Sequence, residues 1–191
     1  MLYVNSITII DNFLEASQHL NILNTTKSSK FPWNRGTILP NSLYTGNPNS
    51  NLHFVHKLIS SYHNYKEDSL ISHNVTKNEY YYIIEPIVDK LQVSSLLRAQ
   101  INLTPNTGRL NKAGFHVDVS KSFLGKGMTA IYYINSNNGY TEFSDGTVVK
   151  SVENRICLFP NNMAHAGVSC TDSPYRLVLN LNWLSKATGR I

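Results

Sequence analysis

At 191 residues, with 41% hydrophobic and 15% charged side chains, the chain is long enough for one packed core and too apolar for a disordered protein. No apolar run approaches the roughly 18 to 20 residues that cross a bilayer, and the opening Met1-Leu2-Tyr3-Val4-Asn5-Ser6 lacks the basic and apolar segments of a signal peptide, so a cytoplasmic protein with no membrane contact is expected. A net charge of +5 favours an acidic partner only mildly, because the lysines are scattered and form no basic run.

In chain order, Tyr3 to Ile10 is rich in β-formers, and Asp11 stands at an N-cap position before Phe13, Leu14, Ala16, Leu20 and Leu23, which predicts a strand and then a helix over about 12–24. Residues 29–50 are rich in Pro, Asn, Gly and Ser and read as a long loop with one short strand near Thr37 to Tyr44. Leu52, Phe54, Val55, Leu58 and Ile59 recur at helical spacing, as do Ile83, Ile84, Ile87, Val88 and Leu91, predicting two more helices. His53 and His56 lie at i and i+3 of the first of these and read as a solvated or partly packed pair, since no third metal ligand is suggested nearby.

After Val93 the period changes to two, with strands expected at Leu96 to Thr104, Gly127 to Asn135, Thr147 to Val152, Arg155 to Phe159, Ala164 to Ser169 and Tyr175 to Trp183. Short turns at Asn138-Gly139, Asp145-Gly146 and Glu153-Asn154 favour antiparallel hairpins. The expected fold is mainly β with supporting helices: one domain over 1–191, in which 1–95 supply helical support and entry loops and 96–185 form the core. Cys157 and Cys170 are too few for a disulfide framework and read as buried or idle thiols.

The chemistry is carried by Phe115-His116-Val117-Asp118 and, far along the chain, Met163-Ala164-His165-Ala166-Gly167. In an extended segment residues i and i+2 point the same way, so His116 and Asp118 can grip one ion while His165 arrives from another strand. Two imidazoles and one carboxylate form the facial triad of non-heme iron(II) oxygenases. In Tyr175 to Trp183, alternation places Arg176, Val178, Asn180 and Asn182 on one face and Tyr175, Leu177, Leu179, Leu181 and Trp183 on the other. If the apolar face meets the helices, Arg176 faces the interior, where a guanidinium needs an anion, and a dicarboxylate supplies one with bidentate geometry.

Residues from about 97 to 185 resemble the 2-oxoglutarate- and iron(II)-dependent oxygenase superfamily, nearest its prolyl 4-hydroxylase-like branch and phage-encoded relatives. The resemblance rests on His116-Val117-Asp118, Tyr133-Ile134-Asn135, Asn138-Gly139-Tyr140-Thr141-Glu142-Phe143, His165-Ala166-Gly167 and Arg176, in the family's order and spacing. Ile9-Ile10-Asp11-Asn12-Phe13-Leu14 is similar to the branch's strand-to-helix entry, whereas residues 25–95 match nothing specific, and Asn138 and Tyr140 stand where the family's turn has Gly and Glu.

The resemblance implies a double-stranded β-helix (jelly-roll, cupin-like) with N-terminal helices packed on one sheet. It implies iron(II) on His116, Asp118 and His165; 2-oxoglutarate held through Arg176 with help from Tyr133, Thr141 and Asn102; dioxygen as co-reactant and ascorbate as an optional reductant. The Asp118 carboxylate implies hydroxylation rather than halogenation, with a peptide or protein as the first-choice substrate and a nucleic acid or free small molecule as rivals. A non-redox cupin-like metal- or sugar-binding protein is the competing class. Lys121, Lys126 and Arg35 would suit an acidic or phosphate-bearing partner but are read as solvated.

Overall fold

The computed structural model describes residues 6–36, 53–61, 75–93 and 95–185. Among these, twelve strands and two α-helices alternate in chain order as β1 (Thr8–Ile10), α1 (Ala16–Lys27), β2 (Asn34–Gly36), β3 (His53–Lys57), β4 (Ile59–Ser61), β5 (Val75–Lys77), α2 (Glu85–Lys90), β6 (Leu96–Pro105), β7 (Gly127–Tyr133), β8 (Tyr140–Phe143), β9 (Val148–Lys150), β10 (Arg155–Pro160), β11 (His165–Val168) and β12 (Tyr175–Leu184). A large antiparallel sheet runs β1-β10-β7-β12-β6-β3-β2, a smaller one runs β11-β8-β9, and β4 pairs with β5.

The large sheet is apolar on its helical side. Leu177, Leu179, Leu181 and Trp183 of β12 pack with Ala99 and Ile101 of β6, Ala130 and Tyr132 of β7, Ile22 of α1 and Ile83, Ile84 and Ile87 around α2. The period of two expected for β12 therefore does what it implies: one side of the strand closes the helical core, and Val178 on the other joins a second cluster with Ile131, Tyr133, Phe143 and Phe159 between the sheets. Close approach within the large sheet has its own requirement. A Cβ on Gly127 would sit 1.9 Å from the Trp183 carbonyl oxygen, so the start of β7 needs glycine.

The N-terminal expectations need correction. Helix α1 starts at Ala16, later than predicted, because Asp11 does not cap it; its carboxylate accepts two hydrogen bonds from Arg155, at 2.6 and 2.9 Å. Phe13 and Leu14 instead lie outside any helix or strand and pin to Asn154, whose carbonyl accepts from the Phe13 N–H at 2.8 Å and whose side chain bonds both the N–H and the carbonyl of Leu14. The described residues of the helix expected over 52–59 instead form β3 and the start of β4. Its apolar run was too short to separate the two periods, and partners decide: Phe54, Val55, His56 and Lys57 stand opposite Leu103, Asn102, Ile101 and Gln100 of β6.

As strand residues, His53 and His56 point to opposite faces, so they cannot share an ion. His56 is buried, donating from Nδ1 to the Pro32 carbonyl at 2.8 Å and accepting at Nε2 from Asn78 at 2.7 Å. The helix expected around Ile83 to Leu91 forms as a 3-10 turn (Tyr81–Ile84) leading into α2. Tyr140 to Phe143, read as part of a turn, is strand β8. The strand expected near Thr37 to Tyr44 falls outside the described residues. Cys157 and Cys170 are free and buried, and burial pushes the Cys157 thiol up to about 12. No helix among the described residues is long and apolar enough to cross a membrane.

Asn154 joins the chain's entry to the sheet: it is buried in the left-handed region, with φ 57°, and also accepts from the Tyr132 hydroxyl at 3.0 Å. Removing its amide leaves the Leu14 N–H and C=O unpaired, at about 1 to 3 kcal/mol for each buried group. Asn154→Ala is expected to lower unfolding stability by about 3 kcal/mol in a denaturant titration; a loss below about 1 kcal/mol would contradict this role.

Candidate metal and cosubstrate site

The two histidines are brought together by backbone pairing. His116 and His165 form an isolated antiparallel bridge in which each N–H donates to the other's carbonyl at 3.0 Å, so the segment around His116 extends the small sheet beside β11. Residues directly opposite in such a pair project from the same face. Asp118, two residues on, places its carboxylate oxygens 3.7 Å from His116 Nε2 and 3.5 Å from His165 Nε2. One ligand atom from each of the three lies within 4.8 Å of the others, a set positioned to chelate a metal ion.

The tautomers suit that purpose. His116 Nδ1 lies 2.9 Å from the Gly114 carbonyl and His165 Nδ1 lies 3.2 Å from the Met163 carbonyl, an acceptor that requires N–H at Nδ1 and leaves the Nε2 lone pair free. Among the described residues His165 Nε2 is buried with no hydrogen-bond partner, an arrangement that costs free energy unless something fills the gap. Two neutral imidazole nitrogens and a carboxylate oxygen are the donor set of an iron(II) facial triad, so the residues present fit that ion.

Electrostatics prepare the carboxylate. Burial alone would raise the Asp118 pKa, but Arg98, whose Nη1 donates to Oδ1 at 2.8 Å, and the two imidazoles together hold it well below the ordinary carboxylate range. Burial lowers the pKa of His116, against the opposing pull of Asp118, and so favours its neutral, ligating form. Asn182 lies 3.5 Å from Asp118 Oδ2 through Nδ2 and donates to Thr129 at 2.8 Å. Arg98, on β6, was not singled out from the sequence; strand alternation, which puts it on the same face as Gln100 and Asn102, was the signal available.

A cavity of about 840 Å³ opens between the sheets, lined at one end by His116, Asp118 and His165 and elsewhere by Arg176, Thr141, Asn102 and Asn180. Arg176 is 5% exposed and has no carboxylate within ion-pair distance among the described residues. Its Nε donates to Ser151 at 2.9 Å and its Nη2 to Thr141 at 3.0 Å, and burial lowers its pKa. Two neutral hydroxyls do not neutralise a buried guanidinium, which leaves the site suited to an anionic ligand. Glycines make room for it: a Cβ on Gly139 would lie 2.8 Å from Arg176 Cδ.

The remaining sequence candidates divide. Thr141 lines the cavity and accepts from both Arg176 and the Tyr133 hydroxyl, the latter at 2.9 Å. Tyr133 is fully buried behind Thr141, with the Arg176 guanidinium 5.6 Å from its ring centroid, and does not itself line the cavity. Tyr132 faces the helices, with its hydroxyl 2.7 Å from His19 Nδ1. Asn102 lines the cavity wall and accepts from Gln100 at 2.5 Å. Ser151, a direct partner of Arg176, was not anticipated.

No protein-family model matches the sequence, and no curated protein matches it. Solved structures do match the fold. A prolyl hydroxylase from Trichoplax adhaerens, in complex with a hypoxia inducible factor oxygen degradation domain peptide fragment, superposes with a TM-score of 0.60 at 14% identity, covering 94% of this chain and 84% of that one. The non-heme alpha ketoglutarate dependent epimerase SnoN from nogalamycin biosynthesis gives 0.62 at 10% identity, covering 95% and 79%. The viral collagen prolyl hydroxylase of Paramecium Bursaria Chlorella virus-1 gives 0.53 at 12% identity, covering 95% and 91%. At such identities the likeness is one of fold: the chain is a double-stranded β-helix protein, with helices on its larger sheet and a metal-chelating 2-His-1-carboxylate set between its sheets.

Proposed function

We propose that this protein is an iron(II)- and 2-oxoglutarate-dependent dioxygenase that hydroxylates a C–H bond, acting as one oxygenase domain over residues 1–191. The observation that carries the reading is the pairing, in one cavity, of a chelating triad that has a free buried lone pair with a buried cation that has no carboxylate partner among the described residues. A cupin-like binding protein without redox chemistry has use for the first but not for the second.

In this reading His116, Asp118 and His165 hold iron(II), and Arg176 holds the far carboxylate of 2-oxoglutarate. When bound with dioxygen, iron(II) and 2-oxoglutarate would supply oxidising chemistry that leaves one oxygen atom in a substrate C–H bond and the other in succinate, with carbon dioxide released. The protein's own work is positional. Arg98 fixes one oxygen of Asp118 and so holds the carboxylate beside the two imidazoles. Thr141, accepting from Tyr133 and Arg176, turns its hydroxyl hydrogen towards the cosubstrate, and Tyr133 acts through Thr141 rather than by contact. Asn102 lies along the wall between the two ends, opposite Val178 of β12. The packed interior beyond Ile131 and Val178 keeps stray water from the reacting centre.

A peptide or protein is the first-choice substrate, with prolyl hydroxylation the nearest analogy, supported by the fold shared with the Trichoplax and chlorella-virus enzymes. A free small molecule is the second reading, favoured by the fold shared with the nogalamycin enzyme and by the polar character of the cavity wall. Free buried thiols and a need for reduced iron support a cytoplasmic setting. Incubation with proline-rich peptides, free amino acids and nucleic acids separates these: succinate should form in step with a one-oxygen mass gain in only one class.

Two binding experiments test the chemistry. Under anaerobic conditions iron(II) plus 2-oxoglutarate should give the weak visible charge-transfer absorption of a chelated keto acid, and His165→Ala should abolish it; an equally strong band in the variant would remove His165 from the ligand set. Arg176→Ala should weaken 2-oxoglutarate by about 2 to 5 kcal/mol, the usual loss on truncating one side of a buried charge pair, with little change in metal affinity. Equal loss of both would mean that the variant has damaged the fold rather than a cosubstrate contact.

A further inference from the structure

Charge is distributed unevenly around the cavity. Alternation puts His53, Val55 and Lys57 of β3 on one face and Arg98, Gln100, Asn102 and Thr104 of β6 on the same side, and all of them line the cavity. Lys57 stands opposite Gln100 in the ladder, so it is the diagonal neighbour of Arg98, towards the Asp118 end. Arg98 commits Nη1 to Asp118 and keeps its other donors, with its side chain 32% exposed. Lys57 is exposed and has no acidic partner among the described residues, where Asp118 is the one carboxylate lining the cavity. With Arg176 assigned to the cosubstrate, a second pair of cations is left at the opposite end.

The cations noted in the sequence are not these. Arg35 also borders the cavity, but it pairs with Phe54, so alternation puts its side chain on the opposite face from Asn34 and Gly36, which lie with Val55 and His53. Lys121 and Lys126 are exposed and do not line the cavity. A buried acceptor adds to the pattern: Asn180 Oδ1, opposite Gln100 on β12, has no hydrogen-bond partner among the described residues, and Asn180 is 8% exposed on the cavity floor.

We infer that the substrate carries an anionic group, a carboxylate or a phosphate, seated between Lys57 and the free edge of the Arg98 guanidinium, with a neighbouring N–H or O–H donating to Asn180. The inference rests on the oxygenase reading above and names the class of substrate for that site. Because one guanidinium then spans the substrate's anion and the Asp118 carboxylate, binding at this seat holds the adjoining C–H bonds beside the metal position and keeps Asp118 oriented.

The test uses zinc(II)-loaded protein saturated with 2-oxoglutarate, so that Arg176 is occupied and no turnover occurs, titrated by calorimetry with probes matched except for charge. N-acetyl-aspartate amide against N-acetyl-asparagine amide reads a carboxylate, and O-phosphoserine against serine reads a phosphate. The charged member of one pair should bind about tenfold more tightly than its neutral partner, as expected of a charge-assisted hydrogen bond, and the preference should fall as salt rises. Lys57→Gln should remove most of that preference while 2-oxoglutarate still binds and the melting temperature holds. Equal binding within both pairs, or a preference that survives Lys57→Gln, as direct ligation to the metal would give, overturns the inference. Failure of the oxygenase reading would show separately, as 2-oxoglutarate binding that does not depend on Arg176.

Discussion

The architecture depends on the strict alternation of β12, the strand that lies between β7 and β6 in the large sheet. Its Leu177, Leu179, Leu181 and Trp183 side seals the helical core, and that burial fixes register, since a slip of one residue would turn Arg176, Asn180 and Asn182 into the helices. The opposite side is then obliged to present a guanidinium and two amides to a closed space. Apolar packing on one face of a strand thereby sets the position of a charge on the other.

That charge and Asp118 form the two ends of one electrostatic arrangement. Both are buried, and each is incompletely matched: among the described residues Arg176 donates only to hydroxyls, while Asp118 is held by Arg98 and by two imidazoles whose Nε2 atoms point inward. Isolated, such groups would be expensive, so a fold that keeps them apart across a cavity is one whose ligands complete them. The backbone bridge between His116 and His165 supplies the remaining precision, because two reciprocal hydrogen bonds, rather than flexible side-chain contacts, set the separation of the imidazoles.

Much of this could be read from the chain. The period of two after Val93 anticipated β6, β7, β10 and β12 of the large sheet, and His-x-Asp followed by a distant His and an arginine on a one-sided strand marked the cavity ends. What alternation could not supply was partnership. The run Leu52 to Ile59 fits either period over so short a length, and only pairing, of β3 with β6 and of β4 with β5, makes its described residues strand. Asp11 looked like a helix cap because nothing in the sequence announces Arg155, distant in the chain, as its partner. Arg98 and Lys57 were passed over for the same reason: each is a lone cation until adjacent strands bring both to one wall, whereas Lys121 and Lys126 sit near the metal motif in sequence yet outside the cavity in space.

The most direct test is a crystal structure of the protein grown with zinc(II), a redox-silent stand-in, and 2-oxoglutarate. Diffraction at the zinc edge should locate one ion at about 2.0 to 2.2 Å from His116 Nε2, His165 Nε2 and an Asp118 oxygen, with the far carboxylate of 2-oxoglutarate on Arg176. An ion bound elsewhere, or a cosubstrate whose carboxylate leaves Arg176 unpaired, would contradict the account.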